Sequence, residues 1–135
     1  MAVEKINPST LSEPEGFMHV GVATGSKMVY LAGQVASNTD GELVGEGDLA
    51  AQTEQALLNV AAGLEAGGAT FDDVAKVTIY VVDWEEAKME QLMAGVMAAA
   101  QKLEAAPLAP TTLVPVPALF AAGYLIELDV TAVID

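Results

Sequence analysis

No cysteine and no arginine occur in the 135-residue chain, and His19 is its single histidine. Without cysteine there can be no disulfide, no thiolate nucleophile and no cysteine-ligated metal site. That composition suits a reducing compartment, so a cytoplasmic location is expected. Without arginine, the strong cations are five lysines, Lys5, Lys27, Lys76, Lys88 and Lys102, against 19 acids, for a net charge of −14. Such scattered lysines cannot form the basic footprint that displaces counterions from phosphates. No nucleic-acid partner is expected, and no RNA binding at moderate salt. A serine triad would have to use His19, and none of Ser9, Ser12, Ser26 and Ser37 sits in a Gly-x-Ser-x-Gly elbow. A hydrogen-bonded strand residue near a turn explains His19 better. Long apolar runs are also missing, because charge or glycine interrupts each one before membrane-spanning length. Residues 1–9 are mixed polar and contain Pro8, unlike a signal peptide, and no membrane association is expected.

Ligand-binding loops are equally scarce. The stretch Asn38-Thr39-Asp40-Gly41-Glu42 lacks the alternating carboxylates and closing glutamate of a calcium loop and reads as a hairpin turn. GVATGSK at 21–27 has the wrong spacing for a phosphate loop and joins two extended runs. No metal site is expected.

What the chain does have is apolar surface: 53% of its residues are hydrophobic, and the mean hydropathy is +0.41. One small domain, spanning residues 1–135, cannot bury all of that, and a small homo-oligomer would hide the surplus. Residues 1–16 show no period and read as an arm. Residues 19–23 and 28–32 read as a hairpin around Gly25, and Asp40-Gly41 as a second turn. Asp48 is placed to cap a helix whose Leu49, Leu57, Val60, Ala61 and Leu64 share one face, and Gly67-Gly68 stops it. Val74–Val82 alternates as a strand. Asp83 and Glu86 have capping-box spacing ahead of a second helix with a stripe of Met89, Leu92, Met93, Val96, Ala100 and Leu103, closed by Pro107 and Pro110. Met89, Met93 and Met97 are read as core packing. Thr111–Val116 is a strand that Pro115 and Pro117 confine to an edge, and residues 125–133 form the last strand. The order β-β-α-β-α-β-β predicts an α+β fold, with a mixed sheet of five to six strands and both helices on one face. The other sheet face needs a partner.

One pair of residues suggests chemistry. In the last strand Ile126, Leu128 and Val130 share one face, while Glu127 and Asp129 project together from the other. A strand carboxylate facing a partly dry cleft can act as a base or position water. The competing explanation is the solvent face of an edge strand.

Several segments together resemble the RidA (YjgF) family of reactive intermediate deaminases over nearly the whole chain. They are GFMHV at 16–20, VYLAGQ at 29–34, DGELVGEGDL at 40–49, QTEQALLNV at 52–60, LEAGGATFDDVAKVTIYVVD at 64–83 and LIELDVTAVI at 125–134. The resemblance implies a chorismate-mutase-like fold of the bacillus type and a homotrimer with small-molecule clefts between subunits. It also implies hydrolysis of enamines or imines, such as 2-aminoacrylate, to 2-keto acids and ammonia without metal or organic cofactor. Glu127 corresponds to the family's water-positioning glutamate. Gly33 corresponds to the glycine of a Ser-Gly-Gln segment in which Ala32 replaces the serine, and Phe17 replaces a tyrosine. Gln91 falls near the family's asparagine on the second helix. Thr111 and Thr112 follow the position of an arginine that clamps the substrate carboxylate, Thr112 at the position whose backbone contacts that carboxylate, and Pro110 stands in the arginine's place. Lysine does not reproduce a planar fork. Loss of the clamp is expected to weaken carboxylate binding by roughly 2–5 kcal/mol. The leading expectation is therefore a divergent enzyme acting on a less anionic enamine, imine or related carbonyl compound. Phe17, Met18, Leu119 and Phe120 are candidates for its apolar contacts. The alternatives are a non-catalytic ligand-binding or regulatory trimer, supported by Pro110, Ala32 and Phe17, and an ordinary 2-imino acid deaminase. RNA cleavage, proposed for some relatives, conflicts with the charge.

Overall fold

A computed structural model describes residues 2–135 of the chain. Three short strands come first, β1 (Val3–Ile6), β2 (Val20–Ala23) and β3 (Lys27–Tyr30). Helix α1 (Leu49–Ala66) precedes β4 (Val74–Val82), and α2 (Met89–Leu103) precedes β5 (Thr111–Val116) and β6 (Ile126–Ile134). The main sheet runs β3-β6-β4-β5, with β4 and β5 parallel and the other pairs antiparallel. The parallel pair needs a crossover, and α2 supplies it. β1 and β2 form an antiparallel ribbon, which a parallel bridge between Met18 and Pro110 joins to the start of β5. The expected α+β architecture, a mixed sheet with its helices on one face, is what the chain adopts.

The core lies between the helices and one sheet face. Val77, Ile79 and Val81 of β4 stand opposite Val130, Leu128 and Ile126 of β6, all within the apolar cluster that includes Leu57, Val60 and Leu64 of α1. Asp48 caps α1 as its spacing predicts, Oδ1 accepting from Ala51 N at 3.0 Å. Gly68, at φ +82°, turns the chain out of the helix.

Four local expectations fail. The arm contains β1, and Val3 is buried; four residues are too few to show a period, and this strand exists by pairing with β2 (Met1 lies outside the described residues). β2 and β3 form at the expected places but do not pair with each other. The chain crosses from the ribbon to the main sheet between them. Gly25 serves close approach there rather than a hairpin turn, since a Cβ would lie 2.6 Å from the Ile134 carbonyl oxygen. Asp83 caps nothing: its φ of +52° ends β4, and α2 begins through a 3₁₀ turn at Glu86–Lys88 whose capping residue, Glu85, makes no side-chain bond. The methionines of α2 are not all core, since Met89 is 44% and Met97 69% exposed and only Met93 is half-buried. The reason is the packing of α2. Its buried residues are Leu92, Gly95 and Ala99. A Cβ at Gly95 would lie 2.5 Å from Ala50 O and 2.6 Å from Thr53 Cβ, so glycine lets the two helices nearly touch. The helix has turned its small residues, rather than its methionines, toward its neighbour.

Candidate functional site

The carboxylate singled out by alternation lies on a central strand, not an edge. β6 sits between β3 and β4, and Glu127 is paired with Tyr80 on the sheet face away from the helices. After β3 the chain continues beside β6 through a bulge. Tyr30 is opposite Thr131 and Gln34 opposite Leu128, so the first strand advances one residue more than the second. Leu31 N donates to Val130 O at 3.2 Å and Gln34 N to Leu128 O at 2.8 Å. Ala32 and Gly33 lie between them, and among the described residues neither N–H has a hydrogen-bond acceptor. The Glu127 side chain rests on this bulge: a Cβ at Gly33 would meet Oε2 at 2.5 Å and Cδ at 2.7 Å. Any side chain at position 33 would therefore have to push the carboxylate aside. Glu127 is half-buried and, among the described residues, takes no hydrogen bond from the protein. A free carboxylate beside two free N–H groups can accept a hydrogen bond from water and, a few ångströms away, receive developing negative charge.

Helix α1 holds the bulge from behind. Asn59 Nδ2 donates to both Val35 O and Ser37 O at 2.9 Å, and Gln55 Nε2 donates to Asn59 Oδ1 at 2.9 Å. Gln52, fully buried, ties the same helix to the segments before α1 and before β6: Nε2 donates to Gly45 O and Gly123 O, and Oε1 accepts from Leu125 N at 2.8 Å. Sequence reasoning passed over both residues. Their signal is a polar side chain at helical spacing among apolar ones.

The remaining site residues do not converge in one protomer. Ala32 is exposed on the bulge with Gly33. Thr112 lies on the same sheet face as Glu127, in the row Thr112–Thr78–Asp129. Two strands and two residues of offset place it ~12 Å from Glu127. Thr111 points the other way and, with Phe17, lines a recess between α2 and the sheet. Pro110 is buried where β5 meets the ribbon, its Cγ 3.0 Å from where a Cβ of Gly21 would stand. Gln91 is exposed on α2, on the helix side of the sheet. Sequence distance also hid a cation: Lys76 Nζ donates to Thr112 Oγ1 at 2.8 Å across β4 and β5. His19 behaves as a structural residue, Nε2 lying 2.7 Å from Ser12 O and the ring edge-on to Phe17. Among the described residues, no cluster of side chains could hold a metal ion, and no helix is long and apolar enough to cross a membrane.

The model of the family described as Endoribonuclease L-PSP matches residues 11–134. The chain belongs to the Rid/YjgF family. A crystal structure of a Rid-family protein of unknown function from Yersinia pestis is 37% identical, with TM-score 0.87 over 99% of this chain and 100% of the other. The YjgF gene product of E. coli is 29% identical, with TM-score 0.65 over 83% and 87% of the two chains. A RutC family protein of Pyrococcus abyssi is 35% identical over 68% of this chain and 72% of its own length. In this Rid protein the Glu127 side chain lies against Gly33, and Pro110 is buried.

Proposed function

We propose that the protein is a homotrimer whose subunit clefts bind a small enamine, imine or related carbonyl compound and hydrolyse it, Glu127 orienting the water. The observation that carries this reading is the Glu127 carboxylate lying unengaged over the Ala32–Gly33 bulge. Water bound to that carboxylate attacks the C=N carbon, and its proton passes through Glu127 to the departing nitrogen. An imine and water thereby become a carbonyl compound and ammonia; an enamine first tautomerises to its imine. The free N–H groups of Ala32 and Gly33 hold negative charge as it develops. Thr112 and Glu127 are too far apart in one protomer for a small ligand to touch both, which favours a cleft completed by a second copy. The uncovered sheet face, where Met28 is 56% and Tyr30 70% exposed, supports the same assembly.

The arginine's absence favours a ligand less anionic than a 2-imino acid. Lys76 supports a second reading, ordinary 2-imino acid deamination, because it brings a point charge to Thr112 from the neighbouring strand. A coupled assay of 2-aminoacrylate hydrolysis tests both. Activity that falls ~100-fold or more in Glu127→Gln, with KM raised in Lys76→Met, supports the deaminase. Activity lost in Glu127→Gln but indifferent to Lys76→Met supports the less anionic substrate. Hydrolysis equal in wild type and Glu127→Gln, or absent for neutral imines as well, would overturn the catalytic role.

A further inference from the structure

Beneath α2 the protein keeps a space that its own side chains do not fill. Gly95 and Ala99 draw this helix onto α1, and between it and the sheet a cavity of about 60 Å³ remains, lined by Leu57, Phe71, Val77, Val96 and Leu128. A wider recess of about 210 Å³ shares Gly16, Ile79, Leu92, Met93 and Thr111 with it and opens past Phe17 and Met89.

Two features point to a ligand rather than to water. The hydroxyls in the lining are already used: Thr53 Oγ1 donates to Leu49 O at 2.7 Å and Thr111 Oγ1 to Ala109 O at 2.8 Å. Among the described residues no buried side-chain polar atom lacks a partner. A buried water needs two to four polar partners, and this lining, apart from the acceptor sites left on those two hydroxyls, is almost wholly apolar. The second feature is the boundary between cavity and recess. Gly16 has φ +81°, and a Cβ there would lie 2.7 Å from Met93 Cε. Met93 thus fills the room a side chain at position 16 would take. Its unbranched thioether moves at little cost, whereas the strand and α1 walls do not.

We propose that the cavity and recess form a binding site for a small neutral apolar molecule, of the size of benzene or a short branched alkane, with Met93 as the gate. The site belongs to the protomer and does not depend on Glu127 or on turnover. Its mouth includes Phe17 and Thr111, so in a cleft of the kind proposed above it would accept the apolar end of the substrate.

The full-length protein, with its Leu and Val methyls labelled, is titrated with benzene and separately pressurised with xenon. Saturable methyl shifts at Leu57, Val77, Val96 and Leu128 are expected, together with a Tm rise of roughly 5 °C at tenfold excess of benzene over its Kd. Val96→Phe, which fills the cavity, should weaken benzene binding at least tenfold; Val96→Met repeats the test if the larger side chain prevents folding. Glu127→Gln should bind benzene as wild type does, whatever it does to catalysis. Absence of saturable shifts, shifts confined to the outer sheet face around Met28 and Tyr30, or equal affinity in the filled variant would overturn the proposal.

Discussion

Two glycines inside helices offer a controlled test of the packing that shapes this molecule. Gly63 in α1 and Gly95 in α2 both lie in helix interiors, so replacing either with alanine gains the same intrinsic helix propensity, ~1 kcal/mol. Their surroundings differ. At Gly63 the new methyl meets the end of the Leu31 side chain at 3.0 Å, which can rotate away. At Gly95 it meets the Ala50 carbonyl oxygen at 2.5 Å and Thr53 Cβ at 2.6 Å, and neither can move unless the helices part. Forcing them apart costs about 3 kcal/mol, the upper end for overpacking. Gly95→Ala should therefore lose about 2 kcal/mol net, or ~7 °C in Tm for a chain of this length. Gly63→Ala should stay within about 1 kcal/mol of wild type. Urea titration of both variants beside wild type measures this. Equal stability of the two variants would refute the close helix contact and, with it, the origin assigned to the space beneath α2.

Gly33→Ala should push the Glu127 carboxylate aside by about 1 Å while leaving Tm nearly unchanged, and hydrolysis should fall ~100-fold by misplacement; a variant as active as wild type would separate the bulge from the chemistry. Lys5 Nζ donates to Phe71 O at 3.0 Å and Leu108 O at 2.6 Å, and burial lowers its pKa below 10.5 more than Asp72 and Asp73 raise it. The unfolded chain then holds this proton to higher pH than the folded one, so Lys5 adds stability as pH rises through the window just below 10.5. In pH-dependent unfolding, Lys5→Met should lose that increment. Filter binding at moderate salt should retain no single-stranded RNA, because the net charge of −14 repels it; saturable retention would contradict the charge argument.

Where a fold rule acts over neighbours in sequence, the chain could be read directly. Asp48 ahead of an apolar helical stripe gave the start of α1, and Pro115 kept β5 at an edge. Where the cause lies far away in sequence, it could not. β1 is a strand because β2 is beside it, and β2 turns from β3 because the sheet offers each a different partner. Leu92, Val96 and Leu103 of α2 pack on the core as the stripe predicts, whereas Met89 and Met97 stay exposed, because hydrophobicity counts methionine and ignores Gly95, although close helix contact selects small residues. At the site, alternation identified the face of Glu127, and the resemblance identified Gly33. Neither could show that one rests on the other, since they stand 94 positions apart in the sequence. Lys76 escaped for the same reason: its partner Thr112 is 36 positions away.

Assembly and chemistry are then one question, and a single surface substitution can pose it. Tyr30 is 70% exposed on the uncovered sheet face, two residues before the Ala32–Gly33 bulge. In the proposed trimer it becomes buried, and burial of an aromatic side chain contributes about 2–3 kcal/mol per copy. Tyr30→Glu removes that contribution three times and adds three carboxylates to an already acidic assembly, so dissociation to monomers is expected at micromolar concentration. Monomers retain the Glu127–Gly33 pair but lose whatever the second copy brings to the cleft. Sedimentation velocity and the hydrolysis assay on one sample should show both losses together, while unfolding of the monomer stays cooperative. If wild type sediments as a monomer, or Tyr30→Glu dissociates and keeps full activity, the cleft between copies is wrong and the site belongs to a single protomer.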